Sequence, residues 1–80
     1  MAEIDWEQRG HDYAYNWESG KSHLPEFPDD KAKEQFTDGY KTGWWDRGLD
    51  NAKAGREHMK SFPNKTAMFN YHDGWQDCFC

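Results

Sequence analysis

Residues 6–14 read WEQRGHDYA and residues 44–52 read WWDRGLDNA, so a W-x-x-R-G-x-D-x-A pattern returns after 38 residues. An internal repeat constrains the architecture before any residue is given a chemical role, because each copy should fold as the same small unit. Residues that both copies share are expected to form the scaffold. Residues that only one copy carries are therefore the better candidates for function.

Two further motifs extend the repeat over most of the chain. Phe27-Pro28 returns as Phe62-Pro63, and FTDGY returns as YHDGW from residue 71, each after 35 residues. Across the three motifs nine residues are identical, and three pairs at the same 35-residue offset exchange one aromatic ring for another, at 36/71, 40/75 and 44/79. This agreement indicates that the chain is duplicated.

The composition favours helices and a core of aromatic rings. The chain has five Trp, five Phe and four Tyr, but only one Ile, two Leu and no Val. Rings can bury about 150–250 Å² each, whereas a scarcity of β-branched aliphatic residues disfavours a sheet. We therefore expect an all-α fold and a single domain, 1–80, built of two repeats at about 6–43 and 44–80.

Apolar spacing together with Gly and Pro signals predicts three helices. The first predicted helix spans about residues 2–19. The second begins after a cap at Asp29 or Asp30 and ends near Gly55 or Met59, and the third begins after a cap at Asn64 or Thr66. The predicted apolar stripes are Trp6, Tyr13, Ala14 and Trp17; Phe36, Tyr40 and Trp44; and Met68, His72, Trp75 and Phe79.

The repeat also predicts how the helices are connected. Each copy is a helix, a Phe-Pro turn and a helix, and the second helix of copy one should fuse with the first helix of copy two. The expected result is a duplicated helix–turn–helix fold with a long central helix and an approximate two-fold axis. Gly39, Gly43 and Gly48 on that helix indicate close approach of another backbone, or a kink near 43–48. Rings left exposed on so thin a fold could support a homodimer.

Charge and hydropathy narrow the function classes. The formal net charge is −5, which disfavours non-specific nucleic-acid binding and favours either a basic partner or solubility alone. No apolar run is long enough to cross a membrane and no signal-peptide pattern is present, so we expect a cytoplasmic protein. Cys78 and Cys80 indicate a reducing compartment and not a disulfide framework.

The repeated motifs resemble those of the ribosome modulation factor family, whose short members carry R-G with a nearby Ala, C-P-Y at a turn, and W-x-G-G-W. The matching residues in copy one are Gln8, Arg9, Gly10, Ala14, Phe27, Pro28, Phe36, Gly39 and Tyr40, and in copy two Arg47, Gly48, Ala52, Gly55, Pro63, Tyr71, Gly74 and Trp75. The resemblance implies two tandem helix–turn–helix units. It also implies ribosome or RNA association, or, for divergent members from phages and mobile elements, a host-directed interaction.

Catalysis, metals and cofactors have little support in the sequence. A zinc site can be drawn from His72, Cys78 and Cys80 with His58 or His11, but the spacing is not one that zinc sites use. The serines lie outside any nucleophile motif, and no phosphate-binding loop follows a strand. We therefore expect no enzyme activity, no metal and no cofactor.

The candidate partner-binding residues are three rings that the repeat does not explain and two aspartates of the second copy. Trp17 has no counterpart ring, Tyr15 aligns with Lys53, and Trp45 aligns with Glu7. Trp45 is interpreted either as an exposed binding anchor at mid-helix or as a ring packed on the first helix. The candidates are Trp45, Trp17, Tyr15, Asp46 and Asp50.

These residues lead to one expected function and one alternative. We expect a small intracellular regulator that docks on a host protein or ribonucleoprotein, with the exposed rings as anchors and the acidic surface steering it to a basic patch. The alternative is ribosome or RNA association, which requires the basic side chains to gather on one face. The acidic residues are read either as solvated helix surface or as a nucleic-acid mimic.

Overall fold

A computed structural model describes residues 5–18 and 24–78 of the chain. Three helices occupy these residues: α1, Trp6–Tyr15; α2, Asp30–Lys53; and α3, Lys65–Asp77. The described residues contain no strand, and the predicted all-α class is confirmed. Both α1 and α3 pack on α2, so the central helix carries the other two.

Each helix begins at a side-chain cap. Asp5, Asp29 and Asn64 each accept a hydrogen bond from the backbone N–H three residues later, at 2.8–3.0 Å. Such a cap typically contributes about 1 kcal/mol to stability. The caps at Asp29 and Asn64 are among those that the sequence predicts. The first helix is shorter than the predicted 2–19, because Asp5 caps it at Trp6 and it ends at Tyr15.

The end of α2 is set by a glycine. Gly55 has a φ of +73°, the left-handed conformation that ends many helices. Its N–H donates to the carbonyl of Ala52 at 3.1 Å, and the N–H of Arg56 donates to the carbonyl of Asn51 at 2.9 Å. This pair of bonds is the Schellman arrangement, and it ends α2 near the first of the two predicted positions.

Glycines allow the helix backbones to approach closely. Gly10 and Gly39 lie between α1 and α2, while Gly48 and Gly74 lie between α2 and α3. A Cβ atom on any of these four would lie only 1.8–2.0 Å from a carbonyl oxygen of the facing helix. The helical glycines therefore have the predicted role of backbone contact, and α2 is one continuous helix through residues 43–48.

Contacts in the two copies correspond pair by pair. Trp6 meets Phe27 with ring centroids 5.5 Å apart, and the equivalent Trp44 meets Phe62 at 5.7 Å. Two further equivalent pairs are Phe27–Phe36 (5.1 Å) with Phe62–Tyr71 (5.3 Å), and Phe36–Tyr40 (6.3 Å) with Tyr71–Trp75 (6.1 Å). The sequence repeat thus has counterparts in the packing, while the two-fold axis itself stays a prediction.

The apolar stripe predicted for α3 is displaced by one residue from the buried positions, although its Trp75 is partly buried and packs against the core. The residues that α3 buries are Ala67, Tyr71 and Gly74, whereas Met68 is 38% exposed. The physical reason is that two small residues let the α3 backbone reach α2, and a stripe chosen by residue size overlooks them. Phe79, the end of the predicted stripe, lies outside the described residues.

Candidate functional site

Four of the five predicted binding residues lie on α2 or against it, on one surface. Successive residues of an α-helix turn by about 100°, so Trp45, Asp46 and Asp50 fall within an arc of about 140°. Tyr15 reaches this arc from α1, because its hydroxyl donates to Asp50 Oδ2 at 2.5 Å. We call the surface formed by His11, Tyr15, Trp45, Asp46, Asp50 and Asp77 the Trp45 face.

Trp17 does not belong to this surface, and its predicted role as an exposed anchor is wrong. Its side chain is only 9% exposed and its ring packs against Trp44 at 5.7 Å. Trp44 is fully buried, and Trp17, which follows the end of α1, packs against it in the core. A ring without a counterpart in the repeat can therefore still be structural.

Ring side chains of α1 bind carboxylates of α2. The Nε2 atom of His11 lies 2.7 Å from Asp46 Oδ2, one turn before the Tyr15–Asp50 hydrogen bond. The rings of His11 and Tyr15 are stacked, with centroids 5.8 Å apart and planes 11° from parallel. The hydrogen bond to Asp50, followed by burial, raises the pKa of the Tyr15 hydroxyl above its usual range.

Trp45 is held from the other side by α3. Its Nε1 atom donates to Asp77 Oδ2 at 3.1 Å, and its carbonyl oxygen faces Gly74. The residue is half-buried, so part of the indole remains at the surface. The ring is therefore fixed in orientation while still accessible, which is the arrangement that a binding anchor requires.

The carboxylates of this surface are bound by rings. Asp46, Asp50 and Asp77 each accept a hydrogen bond from a ring, and no lysine or arginine of the described segments lies within 4.0 Å of them as an ion pair. Carboxylates are charged at neutral pH. The Trp45 face thus combines an oriented indole with three carboxylates that form no ion pair with a lysine or arginine of the described residues.

Arg47 stabilises the fold from the core side of α2. Its Nη1 atom donates to the carbonyl oxygens of Ala14 and Trp17, both at 3.0 Å, and so caps the end of α1. Its guanidinium also lies 5.1 Å from the centroid of the Trp44 ring. Burial is the main reason why the pKa of Arg47 is lowered from its usual value. This cation is therefore committed to internal contacts.

The other basic residues of α2 do not form a stripe. Lys33 and Lys41 are turned from Lys31 by about 200° and 280° around the helix axis at about 100° per residue. Lys53 lies at the far end of the 24-residue helix. Their positions offer no continuous basic surface along α2, in contrast to the clustered carboxylates of the Trp45 face.

Residues 5–18 and 24–78 contain no group of three or more His, Cys, Asp or Glu side chains arranged to hold a metal ion. In the zinc set drawn from the sequence, Cys80 lies outside the described residues. His58 packs edge-on against Tyr71, with centroids 4.9 Å apart, and Nδ1 lies 2.7 Å from the carbonyl of Met59. None of the three described helices combines the length and apolar character that a membrane crossing requires.

Two residues of the Trp45 face escaped the sequence reasoning. His11 aligns with Leu49 in the second copy, and Asp77 aligns with Thr42 in the first, so both differ between the copies. The same criterion that selected Trp45 and Tyr15 would have selected them. It was applied to rings alone, and their partners became visible only when the helices were packed together.

Comparison with known proteins adds no assignment. No protein-family model, curated protein or solved structure matches this chain. The fold and the surface define a small all-α module built around one central helix, and the likeness to ribosome modulation factors stays a prediction.

Proposed function

We propose that this protein is a small non-enzymatic regulator that binds a basic surface of another protein or ribonucleoprotein through the Trp45 face. The observation that carries the proposal is the coincidence on one surface of a partly exposed indole and three carboxylates that form no ion pair with a lysine or arginine of the described residues. Trp45 and Tyr15 have no ring at the equivalent position of the other copy, so the duplicated packing does not account for these two rings, whereas Asp50 matches Asp12.

Trp45 acts as the anchor of this surface. Tryptophan is enriched among the residues that dominate binding energy, and a cation is attracted to the face of an indole ring. The hydrogen bond to Asp77 holds the ring before binding, so little rotamer freedom is lost when a partner docks. An arginine or lysine of the partner could then contact the indole and one of the carboxylates together.

The carboxylates select and steer the partner. Uncompensated charge on one surface accelerates the approach of an oppositely charged surface and excludes acidic ones. The net charge of −5 extends this preference to the whole chain. The encounter should therefore slow as salt is added, while a complex anchored by the indole should persist.

A tagged pull-down from bacterial lysate, washed at low and high salt with both proteins and RNA identified, tests the proposal. We expect a discrete protein that remains bound at high salt. Trp45→Ala should lose that protein while retaining the helical circular dichroism spectrum. Phe69→Ala is the matched control, because Phe69 is an exposed ring of α3 (59% exposed) outside the Trp45 face.

Two outcomes would count against the proposal. If Trp45→Ala unfolds the protein, the indole is part of the core and not an anchor. If ribosomal subunits or rRNA are recovered and are lost at high salt, the translation-modulator function implied by the family resemblance takes its place, because binding to phosphates weakens steeply with salt.

A further inference from the structure

His11 is the histidine of the Trp45 face, and histidine is the residue type whose ordinary charge change falls between about pH 5 and 8. Its Nε2 atom lies 2.7 Å from Asp46 Oδ2, and its Nδ1 atom lies 3.8 Å from Asp12 Oδ1. The side chain is 28% exposed, but Nδ1 itself is buried and has no hydrogen-bond partner. The imidazole thus lies between a carboxylate of its own helix and a carboxylate of α2.

The two charge states of this imidazole differ in how they fit their surroundings. In the neutral ring, a proton on Nε2 is donated to Asp46, and Nδ1 is left as a buried acceptor without a donor. A second proton on Nδ1 places a positive charge 3.8 Å from Asp12 Oδ1, within ion-pair distance but beyond a hydrogen bond. The charged ring therefore has an acidic neighbour on each of its two nitrogens.

The groups around His11 are acidic or neutral. Asp12 and the stacked Tyr15 face it from α1, Asp46 faces it from α2, and Asp5 and Glu7 line the same small cavity of about 260 Å³. No lysine or arginine of the described residues forms an ion pair with Asp12 or Asp46. A positive charge on His11 would therefore be the cation closest to the carboxylate that a partner is to bind.

We propose that protonation of His11 weakens the binding of a basic partner to the Trp45 face, so that the surface releases its partner as the pH falls. This inference rests on the proposed function. The charged imidazole neutralises Asp46 and repels an approaching cation. Removing one charge–charge attraction at about 4 Å in water should lower affinity about fivefold. The second copy has Leu49 at the equivalent position, so the scaffold does not require an imidazole there.

An arginine-rich peptide serves as the probe, with its dissociation constant measured between about pH 5 and 8, where histidine changes charge. The wild type is compared with His11→Gln, which keeps an N–H donor but cannot titrate, and with His72→Gln, which removes an exposed histidine of α3. We expect affinity to fall at least about fivefold as the His11 ring signals titrate by NMR. His72→Gln should follow the wild type, and His11→Gln should show a flat profile.

A second readout does not require the peptide to bind. A small cationic paramagnetic probe relaxes the Trp45 indole N–H signal more strongly when the charge around the indole is more negative. This relaxation should weaken on acidification in the wild type but not in His11→Gln. Absence of peptide binding at every pH would refute the basic partner, while this relaxation would still test His11. A His11→Gln variant with the pH profile of the wild type in either assay would overturn the inference.

Discussion

Replacing Gly39 by Ala should destabilise the protein, although alanine is the better helix former. A Cβ atom at Gly39 would lie 1.8 Å from the carbonyl oxygen of Glu7 and 2.6 Å from its carbonyl carbon. Ordinary contact between such atoms needs about 3.5 Å, so the α1 backbone would have to move by roughly 1.7 Å. A backbone cannot rotate out of the way as a side chain can, so the whole of α1 must shift on α2.

The magnitude follows from two opposing effects. Alanine in place of glycine favours the helix by about 1 kcal/mol, whereas overpacking an interface costs about 1–3 kcal/mol and occasionally more. The overlap at Gly39 is with backbone, so the upper end of that cost applies and the net loss should be about 2 kcal/mol. For a domain of this size, that loss lowers the melting temperature by about 8–16 °C.

Urea and thermal unfolding, followed by circular dichroism and Trp fluorescence, provide the assay. Gly74→Ala is the equivalent change in the second copy, where the Cβ atom would lie 2.0 Å from the Trp45 carbonyl oxygen, and it should cost a similar amount. Gln35→Ala on the exposed side of α2 should change stability by less than about 0.5 kcal/mol. A Gly39→Ala protein as stable as the wild type would refute the close approach of α1 to α2.

Two further predictions concern pH and capping. Burial raises the pKa of Tyr13 above the usual value of 10.0, and the hydrogen bond to Asp50 is the main reason why the pKa of Tyr15 is raised as well. The contribution of these two tyrosines to stability is therefore complete below about pH 10 and is lost as the pH rises through the raised values. Unfolding measured across that range, with tyrosinate absorbance as the titration signal, should show stability falling, and Tyr15→Phe should reduce the fall. Asn64→Ala should cost about 1 kcal/mol of stability for the lost cap. It should cost more than Asp29→Ala, because Asn64 also donates to the Tyr40 hydroxyl at 3.2 Å. Equal melting temperatures for the two variants would contradict this ranking.

The sequence predicted the helices and caps because these depend on local signals. Asp29 and Asn64 precede their helices at the positions where a short polar side chain reaches a free N–H, and Gly55 ends α2 because it adopts a positive φ at no steric cost. The glycine contacts were also predictable in kind, since three glycines on a ring-lined helix need a packing reason. Which backbone each glycine would meet depended on the tertiary fold.

The errors have a common physical cause, which is that size and burial do not coincide in a fold built on close backbone contact. On α3 the buried positions include Ala67 and Gly74, so a stripe drawn through the largest residues misses the contact face. Trp17 was expected at the surface because it breaks the repeat, yet the buried Trp44 ring recruits it into the core. Neither the contact face of α3 nor the burial of Trp17 can be predicted from spacing along one helix, because each depends on the residues of the neighbouring segment.

The Trp45 face owes its character to the position of its residues on the shared helix. The repeat aligns Trp45 and Asp46 with Glu7 and Gln8 on α1, a helix that packs mainly on α2. The middle of α2 instead has α1 on one side and α3 on the other, so donors and acceptors reach it from both: His11 and Tyr15 from α1, and Asp77 from α3. Residues of all three helices thus meet at the middle of α2. Substitutions on that surface can change binding without touching the glycine contacts that hold the helices together.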